Sequence, residues 1–234
     1  YNLVERPDTA FSSTYFGGDD EDWDGLNAGN LIGDSNTETW NQMKAQANGG
    51  LSDNTAYQKI QGLNLDGTVN TNYTDLLDVD NYITYMLANF WGGTYDWPAK
   101  NYYVGCRRPP DSTGFKSYIW DAEGALSSVT IDNTGSYIFW GVATPYAALR
   151  LNSEFQLRFA DHVQKHLFGN GAATVEAVSN RYEAVTTFIE DAVLAESARW
   201  GDQSGTLRTP AAWETRRSYV QNTYMPQRTA IVLD

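Results

Sequence analysis

One cysteine, two histidines and few positive charges frame what this 234-residue chain cannot be. Cys106 has no second thiol to pair with, so a disulfide-stapled scaffold is excluded. Sixteen Lys and Arg stand against 29 Asp and Glu, a formal net charge of −13. That excess would repel a phosphate backbone or an anionic lipid surface, so nucleic acid is not an expected partner. No apolar run approaches the ~20 residues of a membrane-spanning helix. What the chain does have is core-forming material. Its residues are 41% apolar and 14% aromatic, with 8 Trp and 15 Tyr, which excludes an intrinsically disordered chain. At roughly 150 residues per domain, the length suits one large domain or one domain with an insertion.

The first half is rich in Gly, Asn, Asp and Thr, and the second half is markedly helical in pattern. Residues 1–16 read as a strand followed by a short apolar segment, and 17–38 as an acidic glycine-bearing loop. A capping box, Ser35 with Glu38, predicts a helix over 38–47, and another follows at 54–61. The strongest helical pattern of the first half is 79–91. Asp78 can cap it, Val79, Ile83, Met86, Leu87 and Phe90 recur at three- and four-residue spacing, and Gly92-Gly93 stops it. A hairpin is expected from strands at 101–106 and 115–121 around the turn Arg108-Pro109-Pro110-Asp111. Three helices close the chain: 153–168, 175–198 behind Thr174, and one opening at Thr209-Pro210. The chain begins at Tyr1 with neither Met nor a basic-then-apolar leader, and is expected to be a piece of a longer protein.

The hairpin brings together residues that could carry chemistry. Asp96 and Asn101 lie in the loop that enters it, and Asp121 ends its second strand, so the returning chain brings the two loops together. An Asp, an Asn five residues on and a second Asp across a short hairpin suit phosphoryl transfer. One carboxylate orients or deprotonates the attacking hydroxyl, while the amide oxygen and the other carboxylate hold Mg²⁺. Hard oxygen ligands with retained waters fit that ion. Asp and Asn in loops also commonly cap turns, and the residues alone leave both readings open.

Six motifs in order resemble the spore-coat CotH kinase family of atypical secreted or surface-associated protein kinases. They are residues 1–8 (YNLVERPD) with Phe16-Gly17-Gly18, 78–89 (DVDNYITYMLAN), 96–103 (DWPAKNYY), 120–126 (WDAEGAL), 155–168 (FQLRFADHVQKHLF) and 196–202 (ESARWGD). The resemblance implies an α+β protein-kinase-like large lobe, mostly helical, with a β-hairpin at the active site and one residual small-lobe strand. In that frame 1–16 is the small-lobe strand and hinge, 17–70 a loop-rich insertion and 71–234 the helical large lobe. Asp96 takes the catalytic role, and Asn101 and Asp121 the metal-binding roles. The cofactors would be ATP with Mg²⁺ or Mn²⁺, and the partner a protein with Ser or Thr acceptors. The location would be extracellular or on a bacterial cell surface. The ATP-gripping Lys would lie upstream of Tyr1, so the piece by itself is expected to be inactive.

Other residues allow other readings. Asp20, Asp22 and Asp24, followed by Gly25, match the start of a calcium loop, although position twelve is Leu31 rather than Glu. His162 and His166 have the spacing of a zinc pair but lack a third ligand, which favours helix packing. Asp121 and Glu123, at i and i+2 of a strand, would share a face as glycosidase carboxylates can. A non-catalytic surface or adhesion module of the same fold is the third alternative. Arg208, Arg216, Arg217 and Arg228 either receive an acidic group or balance the carboxylates of the fold.

Overall fold

The structure is a computed structural model that describes residues 5–135, 140–203, 205 and 207–234. Of the strand expected at the start of the chain, residues 1–4 lie outside the described residues. Two compact units form, Tyr1–Ala125 with Asp132–His162, and Leu126–Ile131 with Val163–Asp234.

The first unit is built on a four-stranded antiparallel sheet in the order β2-β1-β3-β4. β1 is Trp23–Asn27, β2 Asn30–Leu31, β3 Tyr102–Arg107 and β4 Lys116–Ile119. The predicted hairpin is present as β3 and β4, with Tyr102 opposite Ile119 and Gly105 opposite Lys116. The other half of the sheet departs from expectation. The segment read as a loop-rich insertion supplies β1 and β2, joined at Ala28-Gly29, whose positive φ values of 49° and 82° close a two-residue hairpin turn. β1 then runs along β3, pairing Gly25 with Gly105.

A second departure lies just upstream. Residues 9–16, read as a short apolar segment after the strand, form helix α1, Thr9–Phe16, which Asp8 caps by accepting from the Phe11 amide at 3.1 Å. Only glycine lets α1 lie this close to the sheet. A Cβ on Gly105 would sit 2.7 Å from the Ser12 hydroxyl.

Helices α2 (Glu38–Asn48), α3 (Asn54–Lys59) and α4 (Val79–Gly92) fall where the periodicity places them. The Ser35 capping box does not form. The Ser35 hydroxyl instead accepts from the Gly25 amide at 2.8 Å, and Asn36 Oδ1 accepts from the Glu38 amide. α4 follows the sequence closely: Asp78 accepts from the Asn81 amide at 2.9 Å, Ile83 and Met86 are fully buried, and Gly93 ends the helix in the left-handed region. Helix α5, Thr144–Leu149, was not expected, and α6, Ser153–Leu167, was. His162 on α6 bonds Asp80 at 3.0 Å and Thr84 at 3.3 Å, a packing role rather than a zinc ligand's.

Asp75, beside the start of α4, tests burial against charge. Desolvation, reinforced by Asp78, pushes its carboxyl up to about 7. The folded state therefore holds a proton that the unfolded chain releases near pH 4. Stability from this group is full below that pH and is lost as pH rises through about 7. Asp75→Asn should raise the urea midpoint at pH 8, by about 1–3 kcal/mol in stability, and change little at pH 4. An equal effect at both pH values would refute the buried-proton account. Nearby Cys106 is 1% exposed and burial pushes its thiol up to about 12, so it is not a reactive cysteine.

In the second unit, helix α7 (Val175–Trp200) is capped by Thr174, and α8 (Pro210–Tyr219) by Thr209. A π-helical turn, Val220–Tyr224, leads into α9, Met225–Leu233. Three of the four arginines singled out in this region are absorbed by the fold, while Arg208 is exposed. Arg228, 1% exposed, donates to the carbonyls of Val129 (2.6 Å) and Ile131 (2.8 Å), and Arg216 to those of Leu126 and Ser127. Arg217 pairs with Glu183 at 2.6 Å and Glu214 at 3.3 Å.

Candidate functional site

The end of α4 and the start of β3 fix the two ends of the 94–101 loop, and Trp97 anchors its middle. Its indole is 1% exposed and meets Tyr85 and Phe90 edge-on, with ring centroids 5.8 and 6.1 Å apart. Around that anchor the backbone coils tightly. The Asp96 carbonyl accepts from the amides of Ala99, Lys100 and Asn101 at 3.2–3.4 Å. The coil needs Asp96 at φ 60°, a left-handed conformation that Asp tolerates better than most residues. Gly141 closes the loop from outside: the Val142 amide donates to the Pro98 carbonyl at 3.2 Å, and a Cβ on Gly141 would lie 1.8 Å from that oxygen.

The hairpin brings the second acidic position to this loop. Asn101 directly precedes β3, Asp121 lies two residues beyond β4, and the Asn101 side-chain amide donates to the Asp121 carbonyl at 3.4 Å. Asn101 Oδ1 is left available for another ligand. Asp121 is also left-handed, at φ 55°, and opens a 3₁₀ turn, Ala122–Gly124, that its exposed side chain does not cap. Non-glycine residues with positive φ are uncommon, and the described residues hold four, of which Asp96 and Asp121 are two. Such strain gathers at functional sites because the surrounding structure must enforce it. Asp96 is half-buried and has Lys100 Nζ 3.7 Å from Oδ2. The Asp121 carboxylate has no hydrogen-bond or ion-pair partner among the described residues.

A family model described as CotH kinase protein matches residues 1–232. The chain belongs to the CotH kinase family. No curated protein and no solved structure matches it. The family match spans the 96–101 loop and Asp121 together, and both lie in the first unit of this CotH chain.

The other acidic candidates have different fates. Asp24 is on β1, 1% exposed, and its carboxylate takes Arg108 Nε at 2.8 Å together with the Asn36 amide. Asp22 receives Arg107 at 3.1 Å and the Asp19 amide, which hold its carboxyl below the ordinary range. Asp20 opens a short 3₁₀ turn, Asp20–Asp22. A calcium ion drawn to Asp20, Asp22 and Asp24 would have to displace two arginines, and Asp24 lies on strand β1 rather than in a loop. The glycosidase geometry is corrected outright. Asp121 and Glu123 are not on a strand, since β4 ends at Ile119 and Glu123 lies in the 3₁₀ turn that Asp121 opens, so alternation gives them no common face. No three His, Cys, Asp or Glu side chains form a metal-holding group among the described residues. Asp96, Asn101 and Asp121, two carboxylates and an amide, are nevertheless the oxygen donors that Mg²⁺ accepts while keeping several waters.

Sequence reasoning missed Tyr95 and Trp140, the exposed aromatics at the two edges of the 96–100 loop. No local signal marks them.

Proposed function

We propose that this CotH chain carries the phosphoryl-transfer site of a protein kinase that moves the γ-phosphoryl group of ATP to Ser or Thr hydroxyls of a surface-located protein. The observation that carries this reading is the meeting of the coiled 96–101 loop with Asp121 at one end of the hairpin, with both aspartates in left-handed backbone.

Asp96 is the group to receive the proton from the attacking hydroxyl, or to orient it, and its fixed loop pre-pays the cost of positioning. Lys100 beside it balances its charge before substrate arrives. Asn101, through Oδ1, and Asp121, through its unpartnered carboxylate, would hold the divalent ion. When bound, that ion would offset the charge of the phosphates. The bond between the β–γ bridging oxygen and the γ-phosphorus breaks, a bond from the acceptor oxygen to that phosphorus forms, and ADP leaves. The family membership supports a protein substrate. The spore-coat relation of the family supports a bacterial surface location.

Ion binding tests the site separately from turnover. Titrating Mn²⁺ or Mg²⁺ with ATP into the full natural chain should raise its melting temperature, because a ligand bound only by the folded state stabilises it by about 2.7 kcal/mol at a hundredfold excess over Kd. Asp121→Asn should lose most of that shift. A folded protein that shows no shift and labels no partner would leave the non-catalytic surface module as the function.

A further inference from the structure

Asn133 is a buried polar side chain in a stretch that otherwise faces water. It is 2% exposed, while Asp132 before it and Gly135 beyond it are exposed. The turn that presents it is stiffened by Asp132, whose carboxylate accepts from the amide and the hydroxyl of Thr134 at 2.8 and 2.6 Å. From this turn the Asn133 side-chain amide reaches inward and donates to the Thr94 carbonyl at 2.7 Å. An amide taken so fully out of water is costly unless it is bonded, so the bond it makes is a defined one.

Thr94, itself buried, opens the loop that bears Asp96. Its amide donates to the Asn89 carbonyl at 3.1 Å, which ties it to the end of α4. One side of Thr94 is thus held by α4 and the other by Asn133, 39 residues along the chain. Further on, the buried Trp97 indole is fixed against Tyr85 and Phe90. Asp96 lies between these two fixed points, at φ 60°. Left-handed backbone at a residue with a side chain persists only where its surroundings enforce it. Once the Thr94 carbonyl is released, the peptide that follows it is free to rotate. Asp96 then relaxes toward right-handed values and its carboxylate turns away.

We propose that Asn133 is a positioning residue for phosphoryl transfer, holding the Thr94 carbonyl and so setting the backbone that aims the Asp96 carboxylate. This inference rests on the phosphoryl-transfer reading of Asp96. Asn101 and Asp121 sit at the ends of the β3–β4 hairpin, so losing the clasp falls on turnover and leaves ion binding in place.

The test compares Asn133→Ala with the wild type in the full natural chain, by two measurements. Hydrogen exchange reads the loop without any turnover: the amides of Ala99, Lys100 and Asn101, which donate to the Asp96 carbonyl, should exchange at least about tenfold faster, while α4 keeps its wild-type rates. Transfer from labelled ATP to a library of Ser- and Thr-containing peptides, at saturating ATP, should slow by about 10²-fold. The KM for ATP and the Mn²⁺-dependent melting shift should not move, as they would if Asn133 only supported the fold. Asn133→Asp supplies the rescue, and replaces Asn133→Ala in both measurements if that variant does not fold. Its charged carboxylate opposes the Thr94 carbonyl at neutral pH, but the protonated acid donates to it, so its rate relative to wild type should recover as pH falls toward about 5. Unchanged exchange at 99–101, or no recovery at low pH, overturns the clasp. Faster exchange with an unchanged transfer rate overturns the positioning role and spares the kinase reading. Faster exchange in the variant, with no transfer by the wild type, sinks the kinase reading and leaves the clasp as a feature of the fold alone.

Discussion

Asp96→Asn should lower phosphoryl transfer by about 10²–10⁴-fold while leaving the fold intact, since losing a positioned base costs that much. The substitution is well matched to the site. Asn visits the left-handed backbone as readily as Asp, so the φ of 60° is kept, and the coil that depends on the Asp96 carbonyl survives. The lost ion pair to Lys100 is an exposed one at 3.7 Å, worth little to stability. What disappears is the carboxylate that takes the hydroxyl proton. Asp121→Asn should cost a comparable factor through the ion, and the double variant should lose little more than either single one, because residues acting as a unit are not additive. The measurement is initial rate with labelled ATP, read beside the melting temperature of each variant. Unimpaired transfer by a folded Asp96→Asn would remove Asp96 from the mechanism.

Arg108→Met should destabilise the first unit by about 3–5 kcal/mol, the usual cost of stranding one member of a buried ion pair. Asp24 is 1% exposed, and Arg108 Nε reaches it at 2.8 Å. Removing the guanidinium leaves a buried carboxylate with Asn36 as its remaining donor. The carbonyls of Glu21 and Asp34, which Arg108 also serves at 2.6 and 2.8 Å, lose their donor too. Asp24→Asn introduced into Arg108→Met should recover most of the loss, because the second change removes the stranded charge. Urea denaturation of the four proteins makes a complete cycle. A loss below about 1 kcal/mol would mean that water enters and solvates Asp24 without the arginine.

Helix α4 and the β3–β4 hairpin were legible because their signals are local. Asp78 caps within three residues, the apolar spacing of 79–90 repeats within one helix, and Pro109-Pro110 with flanking strands marks a turn. The meeting of the 96–101 loop with Asp121 was legible for the same reason, since Asn101 lies in that loop and a short hairpin returns Asp121 to it. β1 and β2 were not. Their five and two residues carry Asp, Gly and Asn, poor strand formers, and they become strands because Gly25 can pair with Gly105 and Arg108 can neutralise Asp24. The failed Ser35 cap has the same origin: the Gly25 amide, brought near by the sheet, takes the hydroxyl that the helix was expected to use.

By itself the sequence determined the excluded classes, the mixed helical and hairpin character and the family, because composition, periodicity and ordered motifs are properties of the chain alone. It also named Asp96, Asn101 and Asp121 as a set. Only the tertiary structure decided that the acidic loop spends its carboxylates on Arg107 and Arg108, that Asp121 and Glu123 turn on a 3₁₀ bend, and that Tyr95 and Trp140 stay in solvent. Each of these depends on which distant group arrives beside a residue. A buried charge must find its partner wherever the fold supplies one, and no local spacing records where that will be.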